Sequence, residues 1–219
     1  MSTMAATSPS PVGEHQPQPG LRERKKIKTR IAIRRATCRL IAEQGYDATT
    51  VEQIAEAAEV SPSTVFRYFP TKEDIVLADE HSPAMAALLR SRPAGESPLE
   101  SLRLLMVQSL NAVLAGECDE TVQRARLMVE IPAVRARMTE SLSVTAGMLT
   151  EVLAERTGRD PGELELRVFT AAALGALREV TLYWGERGCQ GDPVPLVDRA
   201  LATLETLGSG PRPQDMPPR

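Results

Sequence analysis

Apolar residues recur at helical spacing along most of the chain, and the pattern is clearest just after residue 49. The first short segment carries them at i, i+3, i+4 and i+7, at Val51, Ile54, Ala55 and Ala58. These positions share one face of an α-helix. Val65 and Phe69, four residues apart, give the next segment a buried face of its own. The pattern predicts two short helices separated by a tight turn.

Residues that cap helices mark where these segments begin. They are Thr50 with Gln53 three positions later, Ser61 before Pro62, and Thr71 with Asp74 three positions later. A Ser or Thr cap with a polar partner at the third helical position satisfies two N–H groups, and Pro is well tolerated at the first helical position. Pro70 cannot continue a helix. The sequence therefore predicts that a further helix begins at residue 72.

The second short helix carries polar groups on the side away from its apolar face. These groups belong to Ser63, Thr64, Arg67 and Tyr68. Hydroxyls, a guanidinium and a phenol suit the major groove of a DNA duplex and its phosphates. Two short helices with such an outer face form a helix-turn-helix motif, although an ordinary helical hairpin whose polar face contacts only water has the same pattern.

A strongly basic segment precedes this motif. Residues 21–39 hold nine Lys or Arg and one Glu, whereas the whole chain has a net charge of −3. The segment continues into an amphipathic helix that Gly45 ends as a C-cap. A basic cluster beside a recognition helix is typical of a DNA-binding protein, and a solvated charged face is the alternative.

From about Lys25 to Ala78 the chain resembles the DNA-binding domain of TetR-type bacterial transcription regulators. The matching motifs are Glu-Gln-Gly-Tyr at 43–46, Thr-Thr-Val at 49–51 and Tyr-Phe-x-x-Lys at 68–72, all in register. The resemblance implies a homodimeric, ligand-responsive regulator, usually a repressor. Two features depart from the commonest pattern: Glu59 stands where Gly is frequent, and Ser61-Pro62 replaces more usual turn residues.

The resemblance also implies roles for individual residues. The positions that match base-contacting residues are Pro62, Ser63, Thr64 and Arg67. The positions that match phosphate-contacting residues are Thr50, Tyr68 and Lys72. Arg30 and the basic arm before it match residues that touch the DNA backbone or a minor groove. Arg67 is the first candidate for sequence recognition, because Arg to guanine is the commonest specific base contact.

The chain is predicted to be all-α, with two helical domains between polar tails. The tails, 1–20 and 208–219, hold eight of the 17 prolines, and we expect both to be disordered. Residues 21–78 form the predicted DNA-binding domain, and residues 79–207 form a ligand-binding and dimerisation domain. The helices after the motif are predicted at about 72–80, 83–90, 98–115, 119–130, 132–157, 162–186 and 194–207.

The predicted helix 162–186 is apolar most of the way round, so it must be covered on two sides. The resemblance implies that the last two helices form a four-helix dimer interface. The second apolar stripe of that interface would consist of Leu196, Val197, Leu201, Leu204 and Leu207. A central core helix in a monomer is the alternative.

The middle helices, about 98–157, supply apolar residues, several of them Met, that would line a cavity for a small-molecule effector. The alternative is that these residues form an ordinary hydrophobic core. Residues 124–138 loosely resemble TetR members whose C-terminal domain takes acyl-CoA-like ligands. This resemblance implies an amphipathic ligand with an anionic group. Its candidate partners are Arg124, Arg126, Arg135 and Arg137, which could equally be surface residues or form salt bridges.

Other kinds of chemistry have little support in the sequence. Three cysteines without a CxxC spacing and two histidines predict no disulfide framework, no metal site and no cofactor. No signal peptide and no apolar run of about 20 residues are recognisable, so we expect a cytoplasmic protein without membrane contact. No cluster of catalytic groups is recognisable either, which disfavours the alternative of an all-helical enzyme.

We therefore expect a TetR-type repressor that a small amphipathic ligand releases from a palindromic DNA operator. The helical region around 72–90, with a pivot at Ser82-Pro83, would transmit the ligand signal to the DNA-binding domain. The alternative is a DNA-binding regulator without a small-molecule ligand, controlled by a partner protein or by its abundance.

Overall fold

The structure, a computed structural model, describes residues 20–78 and 82–208, and every regular element in these ranges is an α-helix. The helices of these ranges are α1 (Leu21–Gln44), α2 (Val51–Ala57), α3 (Pro62–Tyr68), α4 (Lys72–Val76), α5 (Ser82–Arg90), α6 (Pro98–Glu130), α7 (Pro132–Thr157), α8 (Leu164–Glu186) and α9 (Val194–Gly208). The predicted all-α class is confirmed. Apart from Gly20 and Gly208, the two predicted tails lie outside the described residues.

The predicted caps define the short N-terminal helices. Thr50 and Gln53 exchange two hydrogen bonds of 2.9 and 3.3 Å at the start of α2. Thr71 and Asp74 form the same reciprocal pair at the start of α4, with bonds of 3.0 and 3.2 Å. The Ser61 hydroxyl accepts the backbone N–H three residues later at 3.2 Å and caps α3. These bonds satisfy N–H groups that a helix leaves unpaired at its start, so each boundary is fixed locally.

The prediction of separate helices at 98–115 and 119–130 is wrong, because α6 is continuous from Pro98 to Glu130. Contacts with α1 hold the second half of α6 in place. Glu120 lies 3.4 Å from the buried guanidinium of Arg34, and the Gln123 amide donates to the Cys38 carbonyl at 2.9 Å. These tertiary contacts outweigh the modest cost in helix stability of Gly116, which lies within α6.

Helix α4 is shorter than the predicted helix at 72–80, since it ends at Val76. The Ala78 N–H binds the Ile75 carbonyl at 3.2 Å, which tightens the last turn. The side chains of Leu77 and Ala78 are buried. Residues 79–81, which precede the predicted pivot at Ser82-Pro83, lie outside the described ranges.

Among the residues that the structure describes, buried apolar side chains form three cores. The core of the N-terminal domain (residues 21–78) consists of Ile33, Ile54, Ala55, Val65, Phe69, Ile75 and Ala78. The large core of the C-terminal helices is built from α5 to α9 and centres on Leu89, Leu102, Leu105, Leu149, Leu153 and Leu201. The third, here called the interdomain core, consists of Ile41, Val76, Leu77, Leu127, Met128, Val134 and Met138. Helix α4 contributes to both the first and the third core, so it links the N-terminal domain to α6 and α7.

None of the helices in the described ranges is both long and apolar enough to cross a lipid bilayer.

The turn between α2 and α3 carries a local strain. Glu59 has φ of 55°, in the left-handed region that favours glycine. We expect Glu59→Gly to raise the free energy of unfolding by about 0.5–1 kcal/mol. Removing Cβ relieves most of the strain in the folded state, and this gain exceeds the opposing entropy that Gly adds to the unfolded chain. Denaturant unfolding measures this change. Glu59→Ala is the control, since it keeps Cβ. A Gly variant no more stable than the Ala variant would contradict the interpretation.

Candidate DNA-binding surface and ligand cleft

Helix α3 presents one exposed face and one buried face. Pro62, Ser63 and Arg67 are exposed, whereas Val65 is fully buried in the N-terminal core. Thr64 lies at the margin and is partly buried. The structure therefore places the four predicted base-contacting residues on one short helix, three of them exposed.

Hydrogen bonds organise the start of this face. The Ser61 hydroxyl lies 2.9 Å from the hydroxyls of both Ser63 and Thr64. At the other end, the Arg67 guanidinium lies 5.3 Å from the ring centroid of Tyr68, within the range of a cation–π contact. This contact leaves the guanidinium exposed, so its fork of N–H donors can still bind a base edge or a phosphate.

Lys72 has partners within the protein, which sequence reasoning did not foresee. Its ammonium donates to the carbonyls of Tyr46 at 2.7 Å and Thr49 at 3.0 Å, and it lies 3.9 Å from the Tyr46 ring centroid. These bonds explain a cation in the first turn of α4, where the helix dipole disfavours it. They use two of its three N–H groups. The predicted phosphate contact of Lys72 stays a prediction and would use the third.

A partly buried phenol–carboxylate pair fixes the loop after α1 onto α4. The Tyr46 hydroxyl donates to the Glu73 carboxylate at 2.5 Å. Burial, and then this hydrogen bond, raise the pKa of Tyr46 above its usual value. Burial alone would raise the pKa of Glu73, but the bond from Tyr46 and further local hydrogen bonds outweigh it and lower that pKa. Near neutral pH the pair therefore consists of a neutral phenol and a charged carboxylate.

The remaining predicted DNA contacts, Thr50, Tyr68 and Arg30, lie in different surroundings. Thr50 is exposed at the start of α2, and its oxygen accepts from the Gln53 N–H, so its own O–H can point outward. Tyr68 is partly buried. Arg30 lies over the Phe69 ring, 4.6 Å from its centroid. Arg30 and Tyr68 also line the cleft described next. Their contacts with DNA stay predictions.

A cleft of about 490 Å³ lies between the N-terminal domain and α6, α7 and α8. Its apolar lining includes Phe69, Leu77, Met85, Met128, Met138, Leu142, Leu174 and Leu177. Its charged lining consists of Arg30, Arg124, Arg137, Arg178, Asp74 and Glu140. Apolar walls with an excess of basic groups suit an amphipathic molecule that carries an anionic group.

Two of the four arginines predicted as anion partners line this cleft, Arg124 and Arg137. Arg126 lies in a separate groove between α1 and α6. Arg135 is absent from the lining, and it donates to the Val129 carbonyl at 3.0 Å. Sequence reasoning missed Arg178, which comes from the distant helix α8 and joins the cleft only through folding.

Arg137 connects the cleft to the N-terminal domain. Its Nε donates to the Asp74 carboxylate at 2.5 Å, and it also binds Glu140. The Asp74 bond, followed by the Glu140 bond, raises the pKa of Arg137. The other carboxylate oxygen of Asp74 accepts from the Thr71 N–H and caps α4. One carboxylate therefore serves both the cap of α4 and the ion pair to α7.

Helix α8 exposes an apolar strip that the protomer itself leaves uncovered. Leu164 is 69% exposed and Val168 is 56% exposed, and Leu204 of α9 is exposed as well. The predicted stripe on α9 is only partly correct. Val197 and Leu201 are buried in the protomer's own core, because this face of α9 packs on the C-terminal helices. Leu196 is partly buried against the same core, and the side chain of residue 207 lies outside the description.

Two family models match separate parts of the chain. The model described as bacterial regulatory proteins of the tetR family matches residues 33–78. The model described as the MftR C-terminal domain matches residues 96–207. These ranges fall within the two predicted domains, whose limits stay predictions.

Curated relatives and solved structures agree with these matches. The HTH-type transcriptional regulator TcmR of Streptomyces glaucescens is 38% identical over 149 residues, 65% of this chain and 66% of TcmR. The HTH-type transcriptional repressor KstR of Rhodococcus jostii is 28% identical over 186 residues, 81% of this chain and 82% of KstR. The structure is also similar to that of the TetR-family repressor FadR of Thermus thermophilus in complex with lauroyl-CoA. The TM-score is 0.53 at 26% identity, covering 87% of this chain and 100% of FadR.

The fold is thus that of a helical protein with an N-terminal helix-turn-helix domain. With both family models matched, the chain belongs to the TetR family of bacterial transcription regulators.

Proposed function

We propose that the protein is a homodimeric repressor that binds a palindromic DNA operator and leaves it when an amphipathic anion enters the cleft. The observation that carries this proposal is the exposed face of α3, where Ser63 and Arg67 lie beside each other on a capped helix. Hydrogen-bonding groups on such a face are suited to base edges in the major groove. Because its target is the chromosome, the protein would act in the bacterial cytoplasm.

Dimerisation would supply the second recognition helix. The strip at Leu164 and Val168 continues toward Ala171 and Ala172, which are exposed and small enough for close helix approach. A two-fold pairing of α8 and α9 would bury these side chains. Two α3 helices about 34–36 Å apart would then meet successive major grooves on one side of the duplex.

The ligand class follows from the cleft. An apolar chain would lie against Met128, Met138 and Leu177, and an anionic group would reach Arg124 or Arg137. The T. thermophilus FadR structure, in complex with lauroyl-CoA, supports this class because lauroyl-CoA joins an apolar chain to an anionic head. We take lauroyl-CoA as the first probe.

Release from DNA would result from competition for Arg137. An anion bound to its guanidinium would displace the Asp74 carboxylate, which lies 2.5 Å away. Helix α4 would lose an ion pair to α7, and its position relative to the C-terminal domain would change. A ligand can shift the equilibrium only because it prefers one of the two arrangements, and here that preference comes from the charge it brings to Arg137.

Arg67→Ala tests the assignment of the DNA-binding surface. An operator selected by the purified protein from a random duplex library is the substrate, and fluorescence anisotropy measures binding. We expect the loss of discrimination at one base pair of each half-site, costing on the order of 1–3 kcal/mol. Arg90→Ala is the control, because Arg90 pairs with Glu155 on the C-terminal domain at 2.9 Å. Equal weakening on every sequence would instead make Arg67 a phosphate contact.

Val168→Asp tests the dimer interface. A carboxylate on each protomer at this strip would be buried against its counterpart, so we expect monomers at micromolar concentration where the wild type sediments as a dimer. Ala133→Asp is the control, since Ala133 is exposed at the start of α7 and away from this strip. A wild-type protein that sediments only as a monomer would refute the dimer.

Arg137→Gln tests the coupling between cleft and DNA. We expect the variant to bind the operator more weakly without ligand and to show little further release by lauroyl-CoA. In the wild type, a coupling of about 1–3 kcal/mol between ligand and DNA would change the affinity for the operator about 5–150-fold. Anisotropy titrations with and without lauroyl-CoA measure both quantities. Arg135→Gln is the control, because Arg135 binds the Val129 carbonyl near the end of α6 and does not line the cleft. If the Arg137→Gln variant responds to lauroyl-CoA as the wild type does, Arg137 has no part in the mechanism.

A further inference from the structure

The recognition helix exposes one large apolar side chain that its predicted polar face did not include. Phe66 is 50% exposed, whereas its neighbour Val65 and the nearby Phe69 are buried. Exposed single apolar residues are common on protein surfaces. Phe66 differs because it lies in the middle of the surface proposed to bind DNA, where it would be covered in the complex.

Helical geometry places Phe66 between the candidate base-contacting residues. At about 100° per residue, Phe66 lies roughly 40° from Pro62 around the helix, and Ser63 and Arg67 follow at about 100° and 140°. Pro62 and Phe66 thus form an apolar strip alongside the polar strip of Ser63 and Arg67. Both strips are exposed: the polar strip lies opposite the buried side chains of Val65 and Phe69, and the apolar strip lies on the flank between them.

The chemistry of a phenyl ring limits what it can recognise. It has no hydrogen-bond donor or acceptor, so it gains nothing specific from a phosphate or from the polar edge of a base. The apolar group in the major groove is the C5 methyl of thymine, which Phe side chains contact. Removing both groups from water together is favourable.

We infer that Phe66, supported by Pro62, selects a thymine in each half-site by contact with its C5 methyl group. This inference rests on the proposed function, because it requires that α3 enters the major groove. Since Phe66 and Arg67 are adjacent along α3, the thymine lies next to, or one base pair beyond, the base pair that Arg67 contacts. The side chain is therefore a determinant of specificity and not only a part of the surface.

The test removes one methyl group from the DNA and one ring from the protein. The operator is first selected from a random duplex library, and each thymine of a half-site is then replaced by uracil, symmetrically in both half-sites. We expect a three- to tenfold loss of wild-type affinity at one thymine position and little loss elsewhere, which is the scale expected for an apolar contact of this size. Phe66→Ala should bind the thymine and uracil operators equally.

Two controls distinguish this contact from general weakening. Ser63→Ala, on the neighbouring polar strip, should keep the wild-type penalty for uracil. Phe66→Leu, which keeps an apolar side chain, should keep part of it. Thermal unfolding shows whether the Phe66 variants remain folded, as expected for a half-exposed position.

The outcomes separate this inference from the proposed function. If the library yields no preferred sequence, the proposed function fails and Phe66 has no site to select. If an operator emerges but uracil is tolerated at every position, or Phe66→Ala keeps the uracil penalty, the methyl contact is refuted while DNA binding stands. The inference is supported if Phe66→Ala loses the uracil penalty while Ser63→Ala keeps it.

Discussion

The interdomain core determines how the N-terminal domain is held against α6 and α7. Helix α3 has no direct part in it, but α4, which follows α3 after three residues, contributes Val76 to this core and Ile75 to the N-terminal core. Each such buried side chain stabilises the protein by roughly 1.5–3 kcal/mol relative to exposure. The orientation of α3 is therefore set by how α4 packs against α7. Any rotation of the N-terminal domain must repack these side chains.

Polar contacts surround this core and specify one arrangement without supplying most of its stability. The Arg137–Asp74 pair, the buried Arg34–Glu120 pair and the Tyr46–Glu73 bond each join elements that also touch the interdomain core. The Arg137–Asp74 pair is partly exposed, and such ion pairs contribute little net free energy. This pair would therefore suit exchange with a ligand, because an anion near Arg137 could replace Asp74 without opening the apolar core beneath it.

The helix-turn-helix could be predicted from sequence because its determinants are local. Thr50, Ser61 and Thr71 act within three residues of their own positions, and the spacing of Val65 and Phe69 alone defines the buried face of α3. The exposure of Phe66 is different, because around the helix it lies about 60° from Phe69 and about 100° from Val65, and this spacing does not decide whether it is buried.

What the sequence did not reveal depends on contacts between distant segments. The continuity of α6 requires α1 beside it, and the burial of Val197 and Leu201 requires the helices on which α9 packs. Arg178 reaches the cleft from α8, far from Arg137 in the sequence, so no local pattern marks it. Lys72 likewise needs the loop after α1 to bring two carbonyl groups to its ammonium.

Salt dependence and stoichiometry of binding to duplex DNA show whether a dimer places two α3 helices in successive grooves of a palindrome. We expect two protomers per palindrome and a clear preference over scrambled duplex. We also expect an affinity that falls steeply between about 50 and 200 mM salt, with a slope near −0.9 per phosphate contacted. Binding that is independent of salt, indifferent to sequence, or absent with and without lauroyl-CoA would contradict this arrangement.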